Sequence, residues 1–374
     1  MSNLLVAIYG HPENYPPTLN ALEELAKVYD TIYVLYRPHL ELSWQYPSNV
    51  KLIPSGKIIN VKNQERANIF KKLKYLIKFS LQFLKLSIKS KIDCILVYDY
   101  IPMICLYFTR FFISNKIKLW YHSHDVAEKK ALKKYSIGHF AIKAQNNCFQ
   151  YLDLFTCPSP ERLVYFPMRN LKGEFILLPN FPSISFYEQF SKVRKKDSEI
   201  KFIYQGTVGL GHGLEEVCNY MINNNNCELN IVGRINSEYR RKLDSICPSG
   251  VNVFHGFVPY KVLPKITASC HIGIAINKPT NIIYQTGGGA SNKIYEYAAC
   301  GLPILYFDNE HYNKYLSKYE WAFATDLSEG SIKKCVNDIL NKYDYYSQKA
   351  REDFNNDFNF EKDFKKITNF IENN

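Results

Sequence analysis

No apolar run in this 374-residue chain is long enough to cross a bilayer: the longest, Cys94 to Phe108, is broken by Asp99 and falls short of the roughly 20 residues a spanning helix needs. No basic segment precedes the few apolar residues of Met1 to Gly10, and Pro12, Pro16 and Pro17 follow at once. An export signal is therefore not expected, and the chain is expected in the cytosol. Clustered cysteine is absent too. The ten thiols come no closer than nine residues (Cys148 to Cys157, Cys218 to Cys227), which suits neither a zinc site nor a compact disulfide frame, so they are expected reduced and mostly buried. There is no internal repeat, and no low-complexity tract beyond Asn223 to Asn226. Acidic residues are missing from one stretch: Arg66 to Lys91 holds eight basic residues and no acidic one, two thirds of the formal net charge of +12.

What is present is ordinary for a globular protein, 46% apolar, 15% aromatic and 22% charged, and the length suits two domains better than one. Short β-rich runs at Leu4 to Tyr9, Thr31 to Tyr36, Ile92 to Tyr98 and Lys118 to His122 alternate with helix-length segments. That rhythm predicts a parallel, doubly wound sheet. A Pro/Asn-rich loop follows Leu178, and the polar stretch Ser191 to Glu199 reads as a linker. The rhythm then restarts at Ile200 to Tyr204, Glu228 to Val232, Val251 to His255, His271 to Ile276 and Pro303 to Phe307. The expected class is α/β: two Rossmann-like domains, 1–185 and 195–350, facing a cleft, with a helix from about residue 354 to 374 packed on the main body.

The richest segment runs from Thr286 to Pro303. Its glycines let backbone approach a ligand, and Ser291 or Asn292 can cap the helix that follows. The positive helix end and Lys293 then make an anion site, with the Glu296 carboxylate one turn behind, where sugar hydroxyls could donate to it. The residues alone leave open a plainer reading, a tight turn followed by a Lys293–Glu296 surface pair. A second glycine-rich loop, Gly206 to Gly213, follows the strand at Lys201 to Tyr204; it matches neither the dinucleotide fingerprint nor the P-loop. In the first domain, Tyr121-His-Ser-His-Asp125 ends a strand. His122 and His124 share one side of an extended chain, but no matching cluster accompanies them and no metal is expected. His124 and Asp125 are the candidates to orient or deprotonate an attacking hydroxyl, against the alternative of an N-cap Asp beside a packed His.

In the basic stretch, Ile69, Leu73, Leu76, Ile77 and Leu84 fall on one side of a helix and Lys71, Lys74, Lys78, Lys85 and Lys89 on the other. The lysines are either merely solvated or drawn to an anionic membrane surface, at about 1 kcal/mol per residue near the headgroups. Nucleic acid is not expected, since no recognition motif and no interleaved aromatics accompany them.

Ser291-Asn-Lys-Ile-Tyr-Glu-Tyr-Ala-Ala-Cys-Gly-Leu-Pro-Ile304 resembles the donor-binding segment of GT-B glycosyltransferases, particularly family 4-like enzymes of bacterial surface polysaccharides. Tyr204-Gln-Gly-Thr207, Leu229 to Gly233, Val253 to Val258, Leu178-Pro-Asn180, His124-Asp125 and Asp153 to Ser159 resemble further family segments in the family's order. The resemblance implies a GT-B fold whose last helix crosses back to the first domain. It also implies transfer of a sugar from a nucleotide-sugar donor to a hydroxyl of a lipid-linked or oligosaccharide acceptor in cell-surface polysaccharide or capsule synthesis, by a cytoplasmic protein peripheral on the inner face of the membrane. Ser291 and Lys293 would contact the donor diphosphate, Glu296 the ribose, and the backbone near Phe257 and Val258 the base. Asn292, Gly206, Thr207, His212 and Gly288 complete the expected donor site, and Asp125 faces the acceptor or acts as base. The chain departs from the family's pattern at Gly288, where members carry a first glutamate, and at Thr207 and His212, where they carry Arg and Lys. No Asp-x-Asp pair occurs, which disfavours the metal-dependent glycosyltransferase fold, and no cofactor is expected. The competing expectations are a nucleotide-sugar epimerase or hydrolase on the same fold, and a non-catalytic GT-B partner protein.

Overall fold

The computed structural model of the chain describes residues 2–60, 67–127, 132–190, 199–224, 226–247, 250–280, 282–285 and 287–373. Residues 191–198 of the expected linker, Arg66 of the basic stretch and Thr286 of the glycine-rich segment lie outside the described residues. The chain divides into two compact units, Met1–Pro179 with Asp363–Asn374, and Asn180–Lys362.

Unit 1 is built on a seven-stranded parallel sheet. Its strands are β1 (Asn3–Ile8), β2 (Thr31–Tyr36), β3 (Val50–Pro54), β4 (Cys94–Tyr98), β5 (Lys118–His122), β6 (Leu154–Cys157) and β7 (Glu174–Leu177), in the order β3-β2-β1-β4-β5-β6-β7. The central strands are apolar on both faces because helices cover both, so they read as near-continuous runs; β1 and β4 are almost wholly buried. Helix α1 (Pro16–Leu25) follows β1, α2 (Ile69–Lys89) precedes β4, and α3 (Met103–Thr109) follows β4. Asn68 caps α2 through its Oδ1, which accepts from Lys71 N–H at 2.9 Å.

The face α2 buries corrects the sequence expectation. Leu76, Phe79, Phe83 and Ser87 face the sheet, Leu84 is half-buried, and Ile69, Leu73 and Ile77 are exposed. Two phenylalanines that the helical projection left off the apolar side fill the core next to Leu5, Ile95 and Val97. They bury more apolar area than the aliphatic residues they displace.

Unit 2 holds a six-stranded parallel sheet of β8 (Ile200–Gln205), β9 (Cys227–Val232), β10 (Asn252–Gly256), β11 (Ile272–Ile274), β12 (Ile304–Phe307) and β13 (Ala322–Thr325), ordered β10-β9-β8-β11-β12-β13. Helix α4 (Leu214–Ile222) follows β8, α5 (Asn292–Ala299) precedes β12, and α6 (Tyr343–Asp357) leads to the last helix, α7 (Phe360–Asn373). The return to unit 1 starts later than residue 354. Phe358 packs within unit 2 against Phe181, Tyr295 and Tyr319, whereas Phe364 lies 6.4 Å from the Trp120 ring of unit 1. All ten cysteines lie outside any disulfide, nine of them buried.

In each sheet the winding direction reverses between two adjacent strands, β1 and β4 in unit 1 and β8 and β11 in unit 2. Ligands of open parallel sheets bind beyond the strand C-termini at that reversal, and both candidate sites stand there.

Candidate functional site

In unit 2 the loop after β8 is set by two close backbone approaches. Gly213 opens α4 at φ 66°, where a Cβ would stand 2.7 Å from the Ile276 side chain. Gly233, at φ 140°, lies so close that a Cβ would overlap the carbonyl of Gly206. Gly206 and Thr207 are exposed, and the Thr207 carbonyl accepts from Tyr204 O–H at 2.8 Å.

His212 does not face a ligand, contrary to the sequence expectation. It is buried, its Nδ1 is 3.1 Å from Asn277 Oδ1, and its Nε2 is 3.1 Å from Tyr284 O–H. Because Asn277 Nδ2 donates to the Tyr312 hydroxyl oxygen at 2.8 Å, its Oδ1 is the acceptor for His212 Nδ1–H, and Nε2 accepts from Tyr284. Burial lowers the His212 pKa to about 4, so the ring is neutral and braces the loop from beneath.

Helix α5 is locked to β8 by Tyr297, whose hydroxyl accepts from Gln205 N–H at 3.0 Å and donates to the Ile203 carbonyl at 3.1 Å. Ser291 stands at the N-cap without a side-chain capping bond, so the first-turn N–H groups have no cap from their own helix start. Asn180 donates to the Ala290 carbonyl at 3.0 Å and holds the approach to that turn. Gly288, expected in the donor site, is buried; its N–H points at His311 Nε2 at 3.3 Å and its carbonyl accepts from Tyr295, so its backbone groups are engaged within unit 2.

Lys293 lies half-buried in the first turn of α5, its Nζ 4.2 Å from the centroid of Tyr204. Among the described residues no carboxylate is within salt-bridge distance of it, and burial lowers its pKa to about 7. Glu296 differs from both sequence readings, being neither a surface partner of Lys293 nor open to sugar hydroxyls. It is 4% exposed and accepts from Gln205 Nε2 and from Tyr260, and burial raises its pKa to about 7. Gln205 is itself held by Thr267, which donates to its Oε1 at 2.9 Å.

On the outer strands, Phe257 is 45% exposed just beyond β10, and the Arg234 guanidinium after β9 lies 4.9 Å from its ring centroid. Val258 beside it is half-buried.

In unit 1, His124 is held from every side. Its ring stacks between Tyr15 at 4.6 Å and Tyr98 at 4.7 Å, its Nδ1 is 3.2 Å from Asp99 Oδ2, and its Nε2 is 3.0 Å from Thr18 Oγ1. The His124 N–H also donates to Asp99 Oδ1 at 2.9 Å. An acceptor at Nδ1 puts the proton there, so Nε2 takes the Thr18 hydroxyl hydrogen. With both nitrogens engaged and the ring 4% exposed, His124 is a brace rather than the free base expected from the sequence. Asp125 is the open group: it is 58% exposed, with Arg162 Nη2 3.6 Å from its Oδ1. Arg162 is buried and also donates to the His124 carbonyl.

His122 and His124 do come to one side, 4.8 Å apart, but His122 is buried with its Nδ1 2.8 Å from Thr156 Oγ1. Among the described residues no group of three or more His, Cys, Asp or Glu is placed to hold a metal ion, and no helix is long and apolar enough to cross a membrane. Asp99, Arg162, Thr18, Gln205 and Arg234 were missed by sequence reasoning. For Asp99 a signal existed, the lone charge within the run Cys94 to Phe108.

Residues 216–361 match the family model described as glycosyl transferase-like. Sucrose-phosphate synthase from Thermosynechococcus elongatus is similar to the chain over its full length, with a TM-score of 0.71 at 13% identity, covering 100% of this chain and 99% of that one. HepE from Anabaena, solved with UDP and glucose, gives 0.69 at 12%, covering 100% of both chains. WaaG, a glycosyltransferase involved in lipopolysaccharide biosynthesis, gives 0.63 at 13%, covering 97% of this chain and 98% of that one. No curated protein sequence matches. The fold is therefore GT-B, and residues 216–361 are similar to the glycosyl transferase-like family.

Proposed function

We propose that this GT-B glycosyltransferase takes a nucleoside diphosphate sugar at unit 2 and transfers the sugar to a hydroxyl of a lipid-linked saccharide in cell-surface polysaccharide or capsule synthesis, working in the cytoplasm at the inner face of the membrane. The observation that carries the donor half is Lys293: an amine in the first turn of α5, near the exposed loop at Gly206 and Thr207, pushed by burial toward neutrality, with the buried Glu296 acting on it through space but no carboxylate within salt-bridge distance among the described residues. A diphosphate is the counter-charge such a group lacks. As the bond to the sugar breaks, negative charge grows on the leaving diphosphate, and Lys293 with the α5 N–H groups stabilises it more than the ground state.

Arg234 and Phe257 offer a flat cationic and aromatic surface for the base. A ribose at Glu296 would compete with Gln205 and Tyr260 for that carboxylate. On the acceptor side Asp125 orients or deprotonates the attacking hydroxyl, with Arg162 and His124 fixing its place. HepE was solved with UDP and glucose, so uridine diphosphate sugars are the first donors to try. The leaving charge is met in this proposal by a protein cation, so chelation with EDTA leaves turnover unchanged; loss in EDTA restored by a divalent ion would contradict that part. Product analysis with and without acceptor tests the reaction class. Transfer only with acceptor present is the expected result, and an altered free sugar without any acceptor would make the chain an epimerase or hydrolase.

A further inference from the structure

The exposed side of α2 carries two parallel stripes. Phe70, Leu73, Ile77, Leu81 and Ile88 are exposed, Phe70 by 79% and Leu81 by 62%, and their spacing places them along one helical face. Lys71, Lys74, Lys78 and Lys89 each directly follow one of these residues, and Lys85 stands one turn beyond Leu81, so a lysine row flanks the apolar row. Neither row faces the core, which is met by Leu76, Phe79 and Phe83. Helix α3 lies alongside, with Ser80 Oγ 3.2 Å from Cys105 Sγ, and Phe108, Phe111 and Phe112 at its end are also exposed. Ile88 and Phe112 line one shared hollow, so the apolar surface continues from α2 toward the end of α3.

We propose that this face is inserted in an anionic bilayer surface: α2 lies in the membrane plane, its apolar row sits below the headgroups, and its lysines reach up to the headgroup phosphates. This rests on the reading of the acceptor as lipid-linked, and adds to it a contact made by apolar insertion as well as charge. Charge argues for lipid over a second copy of the chain. Two such helices face to face would bring lysine rows together, and α2 has no acidic residue to offset them.

The test is sedimentation with vesicles of phosphatidylcholine mixed with phosphatidylglycerol, and of phosphatidylcholine alone. The variants are Ile77→Ser/Leu81→Ser/Ile88→Ser and Lys74→Gln/Lys78→Gln/Lys85→Gln, all at exposed positions; equal melting temperatures establish that the fold is kept. Wild type is expected on the mixed vesicles. The apolar variant should partition about tenfold more weakly or worse, and a tryptophan placed by Leu81→Trp should be quenched by brominated lipid. Three outcomes would overturn the proposal: wild type stays off both vesicles; the apolar variant binds like wild type; or wild type is a dimer that the apolar variant converts to monomer. Release of nucleoside diphosphate from the donor in solution separates this from the reaction itself. A protein that binds vesicles but never turns over a donor keeps the docking face and loses the transferase reading, and an apolar variant that stays off vesicles yet turns over donor normally supports the face as a membrane contact only.

Discussion

Lys293 is expected to be mostly neutral in the free protein at pH 8, since burial lowers its pKa to about 7, and a bound diphosphate restores the charge. Binding at pH 8 should therefore take up a proton, and binding at pH 6 almost none; titration calorimetry in buffers of different ionisation enthalpy reads the difference directly. Lys293→Ala should lower kcat by roughly 10²-fold or more, the scale of one lost electrostatic donor. Glu296 carries the opposite shift, from 4.5 in the unfolded chain to about 7 in the fold. A raised carboxyl pKa gives stability that is full below pH 4.5 and lost as pH climbs toward 7, because the unfolded carboxyl ionises first. Glu296→Gln should flatten that fall, by at most about 3 kcal/mol, in urea denaturation at pH 4.5 and 7; an unchanged slope would show that the buried carboxyl is not its source. Lys293 and the neighbouring glycines were legible in the sequence because a helix start announces itself locally. The inward turn of His124, His212 and Glu296 was not, because their partners Asp99, Asn277 and Gln205 come from other strands.

The strands that could be read from sequence are those buried on both faces, such as β2 and β5, whose bounds agree with the expectation residue for residue. β3, β7 and β13 escaped notice because they are edge strands with at most one buried residue each, so no continuous apolar run marks them; β6 was not read although all four of its residues are buried. Helix α2 was recognised as amphipathic, but two apolar stripes on one helix defeat a single projection, and only packing selects the one that Phe79 and Phe83 belong to. The loop after β8 is the element most sensitive to a single methyl group. Gly233→Ala would press on the Gly206 carbonyl at a φ of 140°, so it should lower stability by about 1–3 kcal/mol and weaken nucleotide binding as Gly206 and Thr207 shift. Thermal melting with and without nucleotide separates the two effects, and a variant that melts and binds like wild type would mean the loop is not held by this contact.

At the scale of the whole molecule, two sheets that reverse at β1/β4 and β8/β11 place a braced, exposed Asp125 at one set of strand ends and an under-neutralised Lys293 at the other. The composition allowed two domains, and the alternation of strands and helices gave their class; where unit 1 takes back the chain, at Asp363, was set by the aromatic packing of Phe358 in unit 2 and could not be read from spacing. A ligand that binds only the folded protein at 100 times its Kd should add about 2.7 kcal/mol of stability, so a thermal-shift screen of nucleoside diphosphate sugars will find the donor. The central claim, that the start of α5 holds a diphosphate, is tested most directly by calorimetric titration of uridine, guanosine and adenosine diphosphates into wild type and Lys293→Ala at pH 8. The account predicts that one of them binds wild type with uptake of a proton and binds the variant at least tenfold more weakly; equal affinity for both proteins, or no binding by any diphosphate, would contradict it.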